Sequence, residues 1–395
     1  MMIQAVLSNP NHPDYGVVTI PFPIPHDQYA HCMELLEALE IGDAVKADCK
    51  VEKVDSFYTV LKRVEMLTVN VEELNYLAKR LDSFDTGEAA QFQAMAHKLD
   101  LFELKDLINL TFCCQQATVI TDFSDLAAIG RDHYMNLHGG SAKTEELDAL
   151  DGKETARRLI ESGGGTITPY GVVYDNGMKL EQVYDGRFFP CYYYEPNAIT
   201  VAVTSKSELE DTEHITWLYL PMEREEVDRA LLRGGITDPS EIRLSLEDSQ
   251  LPNEVDVLLD MEYETLSDLN ELAAATDGLS KADMEKLGAV VMLAKPKSAA
   301  QIKNLAESLD LFDFAPGAHT SQEYGKYMIR QSGHFEYDEN LDAFYDYEKY
   351  GTERMNEEDG MFTDRGYIAY KGYTSMEEVM NGSQSNHMAM GGLSR

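Results

Sequence analysis

Two periods alternate along the chain. Met2–Leu7 and Gly16–Ile20 read as short strands. Pro21, Pro23 and Pro25 then exclude helix, since proline lacks the N–H and clashes with the preceding turn. Tyr29, Cys32, Leu35 and Leu36 fall on one face and predict an amphipathic helix over His26–Leu39. Val45–Val60 reads as extended. Val71–Leu81, Glu88–Lys98 and Glu103–Cys113 carry apolar residues at helical spacing and predict a small three-helix bundle. Asp125–Tyr134 and Lys153–Glu161 predict two further helices, the second stopped by Gly163, Gly164 and Gly165. A β-meander is expected next, with strands Gly171–Tyr174, Met178–Tyr184 and Arg187–Tyr194. Its turns are Asn176-Gly177 and Asp185-Gly186, pairs that accept the positive φ of two-residue hairpins. Ile199–Val203 and Ile215–Leu220 read as strands and Glu223–Arg233 as a helix.

The pattern then starts again. Leu74-Asn75-Tyr76-Leu77-Ala78 is echoed by Leu269-Asn270-Glu271-Leu272-Ala273, and Tyr134-Met135 by Tyr327-Met328. Leu147-Asp148-Ala149 is echoed by Leu341-Asp342-Ala343, and Gly171–Tyr174 by Gly366–Ala369. Four weak echoes in one order, at nearly constant offset, predict two copies of one multi-part domain. Residues 1–205 form the first copy: sheet and helix over 1–65, a helical bundle over 66–120, and an α+β part with the meander over 121–205. Residues 206–373 form the second, and 374–395 are expected to be a flexible tail.

Charge sharpens this picture. The 395 residues carry 70 Asp and Glu against 33 Lys and Arg, a net charge of -37, and both halves contribute. Residues 244–280 hold ten acids and no base, yet Val255, Leu258, Leu259, Leu266, Leu269 and Leu272 run through them. One face can therefore be buried while the other displays carboxylates. Such charge repels nucleic acid and anionic membrane surfaces and favours a basic partner. At one charge per ~1.7 Å of duplex axis it matches roughly 60 Å of DNA, about 18 base pairs. Five cysteines without a CxxC, and no leader or membrane-spanning run, predict a reduced, cytoplasmic protein.

Catalytic patterns are weak. Gly163–Gly165 follows a helix and lacks a phosphate-loop frame. His133 and His138 are five apart, a poor helical pair for a metal, with no third ligand at sensible spacing. Asp338, Asn340 and Asp342 copy the start of a calcium loop, but Ala343 and Lys349 stand where it needs Gly and Glu. The sequence therefore offers no catalytic residue, no metal site and no cofactor site. From Phe335 to Tyr350 aromatics alternate with acids, which reads as rigid packing that holds carboxylates in place.

The second copy resembles the antirestriction family ArdA. The resemblance runs through Leu246-Glu247-Asp248-Ser249-Gln250-Leu251-Pro252, then Leu266–Leu272, Glu323–Gly333 and Tyr345–Gly351, to a strand near Gly366–Tyr370. The first copy is similar more weakly, and most of the chain resembles long ArdA-like proteins of Firmicutes mobile elements. The resemblance implies an α+β fold, elongated overall, with small antiparallel sheets flanking a short helical bundle in each copy. It also implies a DNA mimic that fills the DNA-binding groove of type I restriction–modification enzymes and protects mobile DNA, without catalysis, cofactor or direct contact with nucleic acid. The phosphate-mimicking residues expected on this basis are Glu247, Asp248, Glu254, Asp256, Asp260, Glu262, Glu264 and Asp268, with Asp338, Glu339, Asp342, Asp346 and Glu348. Ordinary members dimerise, so this doubled chain could act as a monomer or as a homodimer. Two alternatives stay open at this point: a hydrolase with an unrecognised carboxylate or metal site, and an acidic adaptor for another basic DNA-binding protein.

Overall fold

Ile3, Ala5 and Leu7 alternate inward along β1 (Ile3–Ser8) in the computed structural model, which describes residues 2–192, 197–207, 214–334 and 336–382. β1 pairs antiparallel with β2 (Val17–Phe22) and is followed by α1 (Tyr29–Glu37). β3 (Cys49–Asp55) and the short β4 (Thr68–Val69) complete a sheet of order β2-β1-β3-β4. Tyr29, Cys32 and Leu36 of α1 are buried, as the spacing predicts, and Leu35 is half-buried. The predicted extended run Val45–Val60 is strand only over β3.

The three predicted bundle helices are α2 (Val71–Asp82), α3 (Thr86–Lys98) and α4 (Leu104–Leu110). Their starts follow from local chemistry. The Asn70 side chain accepts from the Glu73 N–H, and Asp85 forms a reciprocal capping box with Glu88. Tyr58, Phe84 and Phe92 meet edge-on in the core, with ring centroids 6.0 and 6.2 Å apart. Beyond them lie β5 (Thr118–Ile120), α5 (Leu126–Leu137), α6 (Thr144–Ala149), α7 (Gly152–Glu161), β6 (Thr166–Thr168) and β7 (Gly171–Tyr174). The strands form a sheet of order β5-β7-β6.

The meander departs from expectation after its first strand. Asn176 and Gly177 take the predicted positive φ, 54° and 80°, but no strand follows among residues 178–192. The Asn109 side chain supplies what a neighbouring strand would. It accepts from the Tyr184 N–H at 2.7 Å and donates to the Tyr184 carbonyl at 3.0 Å. The backbone is thus satisfied by one amide instead of a ladder.

A similar succession of elements follows in the rest of the chain, without counterparts of β4 and α6 among the described residues. β8 (Ile199–Ser205), β9 (Thr216–Leu220), α8 (Arg224–Arg233) and β10 (Ile242–Ser249) come first, the strands in order β10-β8-β9. After α9 (Asn253–Asp256) come the bundle helices α10 (Leu266–Thr276), α11 (Lys281–Ala294) and α12 (Ala299–Ala306). The last group is β11 (Phe312–Pro316), α13 (Ser321–Arg330), α14 (Tyr347–Glu357), β12 (Asp359–Thr363) and β13 (Gly366–Tyr370), with sheet order β11-β13-β12. Matching details sit 195 positions apart. The N-caps Asn70, Asp85 and Asp151 correspond to Thr265, Ser280 and Asp346. Asp100 and Lys295 both leave a helix at left-handed φ, 55° and 54°. Thr168 and Thr363 each donate to the carbonyl three residues on, at 2.8 Å. At this spacing Tyr134 falls opposite Ile329, so the echo of Tyr134 in Tyr327 is displaced by two residues from structural equivalence.

The chain divides into two compact units, but not by one cut near 205. The first comprises Met1–Glu195, Leu209–Trp217 and Glu223–Glu241, so α8 packs with it; the second comprises Pro196–Glu208, Leu218–Met222 and Ile242–Arg395. Within the first unit, the Arg233 guanidinium of α8 donates to the carbonyls of Ala44 and Arg187 at 2.8 Å and to Asn70 at 3.0 Å. It also bonds the Tyr184 hydroxyl and lies 4.3 Å from the Phe189 ring centroid. Within the second unit, the expected tail begins with a helix, α15 (Met376–Met380). Val379 buries its side chain there, and Asn304 donates to the Met380 carbonyl at 2.8 Å. The rest of the expected tail, 383–395, lies outside the described residues.

Candidate partner-binding surface

β10 is an edge strand, and its alternation breaks where the acids begin. Leu244 is buried, but the register with β8 shifts between Leu246 and Asp248, so Glu247 is an extra residue in the ladder. A bulge of this kind leaves Glu247 and Asp248 both exposed. The Ser245 hydroxyl donates to Glu247 at 3.1 Å. In the first unit the equivalent edge, β3, is covered by β4, and residues 50–70 carry four bases (Lys50, Lys53, Lys62, Arg63) against three acids (Glu52, Asp55, Glu65). Residues 245–265 carry seven acids and no base.

The seven differ in what they can offer. Arg365 donates to both oxygens of Glu254, at 2.8 and 2.7 Å, and these bonds hold the carboxyl below its usual range. Asp256 accepts from the Ser249 hydroxyl at 2.7 Å; burial raises its proton affinity, with Asp248 adding to the effect. Glu264 accepts from the Ala299 N–H at 3.0 and 3.1 Å at the start of α12. Burial raises it too, with Asp268 and Asp260 as nearby charges. Asp260 and Glu262 form an exposed turn, the Glu262 N–H donating to Asp260 at 3.2 Å. Beyond 265, Asp268 is half-buried at the first turn of α10, where Thr265 donates to it at 2.7 Å.

The second acidic group sits on a strap between α13 and α14. Asp338 accepts from the Asn340 N–H at 2.9 Å, and Asp346 caps α14 by accepting from the Lys349 N–H at 3.0 Å. Between them Asp342 is gripped by Arg330, Tyr347 and Tyr337, the last at 2.7 Å. The Tyr347 and Tyr337 hydroxyls, then Arg330, hold its carboxyl well below the usual range, and the same bond pushes Tyr337 up to about 12. Asp338, Glu339, Asp346 and Glu348 are exposed. Phe335, at the start of the predicted aromatic run, lies outside the described residues.

Thirteen expected phosphate mimics thus separate into two kinds. Glu247, Asp248, Asp260, Glu262, Asp338, Glu339, Asp346 and Glu348 are exposed, and none forms an ion pair with a lysine or arginine side chain among the described residues. Glu254, Asp256, Glu264, Asp268 and Asp342 are committed to internal bonds. The partners that neutralise Glu254 and Asp342, Arg365 and Arg330, carry no sequence signal that points to their acids.

Clefts elsewhere have mixed chemistry. One of about 350 Å³ in the second unit is lined by Lys286, Lys371, Asp310, Asp313, Phe314 and Tyr327, with Lys371 paired to Asp313 at 2.7 Å. Another of about 490 Å³ in the first unit includes Asp85, Glu88, Gln91, Thr118 and Asp132. Among the described residues no three His, Cys, Asp or Glu converge as a metal-holding group. His133 bonds Thr118 at 2.9 Å, and burial lowers its proton affinity. No helix among the described residues is long and apolar enough to cross a membrane.

A family model described as antirestriction protein (ArdA) matches residues 212–369. No curated protein matches the chain.

Proposed function

Because residues 212–369 belong to the antirestriction protein (ArdA) family, we propose that this chain is a DNA mimic that occupies the DNA-binding groove of a type I restriction–modification enzyme. The observation that carries this reading is the set of eight exposed, cation-free carboxylates within the matched segment. Each stands in for a backbone phosphate facing lysines and arginines of the groove. The attraction is summed over many exposed contacts worth at most about 1 kcal/mol apiece, so no single acid is indispensable. The chain acts by occupancy, without catalysis, in the cytoplasm where incoming DNA meets the enzyme. We further read it as two copies of one plan, supported by the repeated element order and the shared 195-residue spacing of caps and turns.

The test is competition. The purified chain displaces duplex DNA from a type I enzyme at low salt and loses affinity steeply as salt rises. Changing Glu247, Asp248, Asp260 and Glu262 together to amides weakens displacement and flattens the salt dependence. An unaltered chain that cannot displace DNA from any such enzyme at low salt refutes the proposal.

A further inference from the structure

The strap that joins α13 to α14 displays more than charge. Its centre is a short 3-10 helix of two turns, Glu339–Phe344, with no buried residue. Phe344 is 83% exposed and Leu341 48% exposed. Apolar side chains this bare on so acidic a segment have no role in the core. The helix is nonetheless fixed. Asp342, inside it, is held by Arg330, Tyr337 and Tyr347. Arg330 lies 5.3 and 5.6 Å from the ring centroids of Tyr337 and Tyr347, and the Tyr345 ring packs at a tilt beside both tyrosines, with centroids 6.0 and 5.8 Å away. At the equivalent places of the first unit, 195 positions earlier, stand Glu146 and Ala149 in α6. The exposed apolar pair and the clamp beneath it therefore belong to the second unit alone.

We infer that Phe344 and Leu341 form an apolar anchor that enters a pocket on the same basic protein whose groove the carboxylates face. This rests on the mimic reading and deepens it. The occupant follows from charge complementarity: the exposed acids Asp338, Glu339, Asp346 and Glu348 flank the anchor along the chain, so the receiving pocket is apolar with a rim of lysine and arginine. A preordered aromatic in a desolvated pocket loses little entropy on docking and is the kind of residue that dominates protein interfaces. Unlike the carboxylates, it contributes affinity that salt does not screen.

The experiment uses the full chain and a type I enzyme that the unaltered chain displaces from DNA, with affinity measured from 50 to 300 mM salt. Phe344→Ala and Leu341→Ala each weaken binding by about tenfold at every salt concentration and leave the log–log salt slope unchanged. Tyr373→Ala, at an equally bare side chain outside the strap, stays within about twofold of the unaltered chain. Asp342→Asn loosens the clamp with Phe344 intact and weakens binding without altering the slope. Phe344 is too exposed to support the fold, and circular dichroism checks each variant. If Phe344→Ala binds like the unaltered chain, or if Tyr373→Ala loses as much, the anchor is overturned while the mimic stands. A chain that binds no such enzyme at any salt overturns both.

Discussion

Asp342 and Glu264 show how unlike two carboxylates of one acidic surface can be. Hydrogen bonds from Tyr347, Tyr337 and Arg330 favour the charged form of Asp342, so its folded-state pKa lies below the unfolded value of about 3.9. Its contribution to stability is present above that value and is lost as pH falls through the folded pKa. Glu264 is shifted the other way by burial, so its charged form is disfavoured in the fold. Stability associated with it is present below the unfolded value of about 4.3 and is lost as pH rises through the folded one. Carboxyl carbon shifts followed from pH 7 downward should therefore record Glu264 and Asp256 protonating early, and Glu254 and Asp342 late. These distinctions were not legible in the sequence. Arg365 stands 111 positions from Glu254, and spacing cannot announce such a pair. Arg233 was equally silent, one base at the end of a predicted helix, yet it is 5% exposed and donates to five groups of the first unit. Arg233→Ala leaves the Tyr184 hydroxyl and three carbonyls without this donor and should cost about 3–5 kcal/mol, read as a shift of the urea midpoint.

Elements were more legible than pairings. The helical spacing gave the bundle helices to within a few residues, because caps such as Asn70 and Asp85 mark their starts. Strands failed where a side chain replaced a ladder: Asn109 holds Tyr184 in both directions, and periodicity cannot reveal that substitution. The close helix pairs were also invisible, because their cause is a missing side chain. A Cβ placed on Gly325 would lie 2.0 Å from the Tyr347 carbonyl oxygen, and one on Gly130 would lie 1.8 Å from that of Gly152. Both are backbone atoms and cannot swing aside. Gly325→Ala must therefore push α14 away from α13 and should destabilise the second unit by about 1–3 kcal/mol or more. It should also reduce partner binding, since α14 carries Glu348 and its cap Asp346 closes the strap. Gly333→Ala, at a site with nothing within 4 Å but a φ of 72°, separates strain from crowding. It should cost only about 1 kcal/mol, because the left-handed backbone alone is disfavoured. Thermal unfolding of the two variants tests this order.

At the scale of the whole molecule, the proposed duplication and the net charge bear on each other. Equivalent stretches of the two units, 50–70 and 245–265, differ from a slight basic excess to seven acids and no base, of which Glu254 alone is paired with an arginine from elsewhere among the described residues. The plan itself therefore does not require the acids, and their self-repulsion is a cost the fold must bear. On the proposed reading, binding to a basic groove would offset that cost by supplying the missing cations. Salt should then move two properties in opposite directions. Raising ionic strength from 0.01 to 0.15 M shortens the Debye length from about 30 to about 8 Å, which screens exposed like charges from one another. The melting temperature of the free chain should rise by a few degrees over this range, while affinity for the restriction enzyme falls by more than tenfold. The amide variant at Glu247, Asp248, Asp260 and Glu262 should melt higher than the unaltered chain at 0.01 M and gain less from added salt. If its melting temperature at 0.01 M equals or falls below that of the unaltered chain, those four acids are stabilised within the fold and are not held in reserve for a partner.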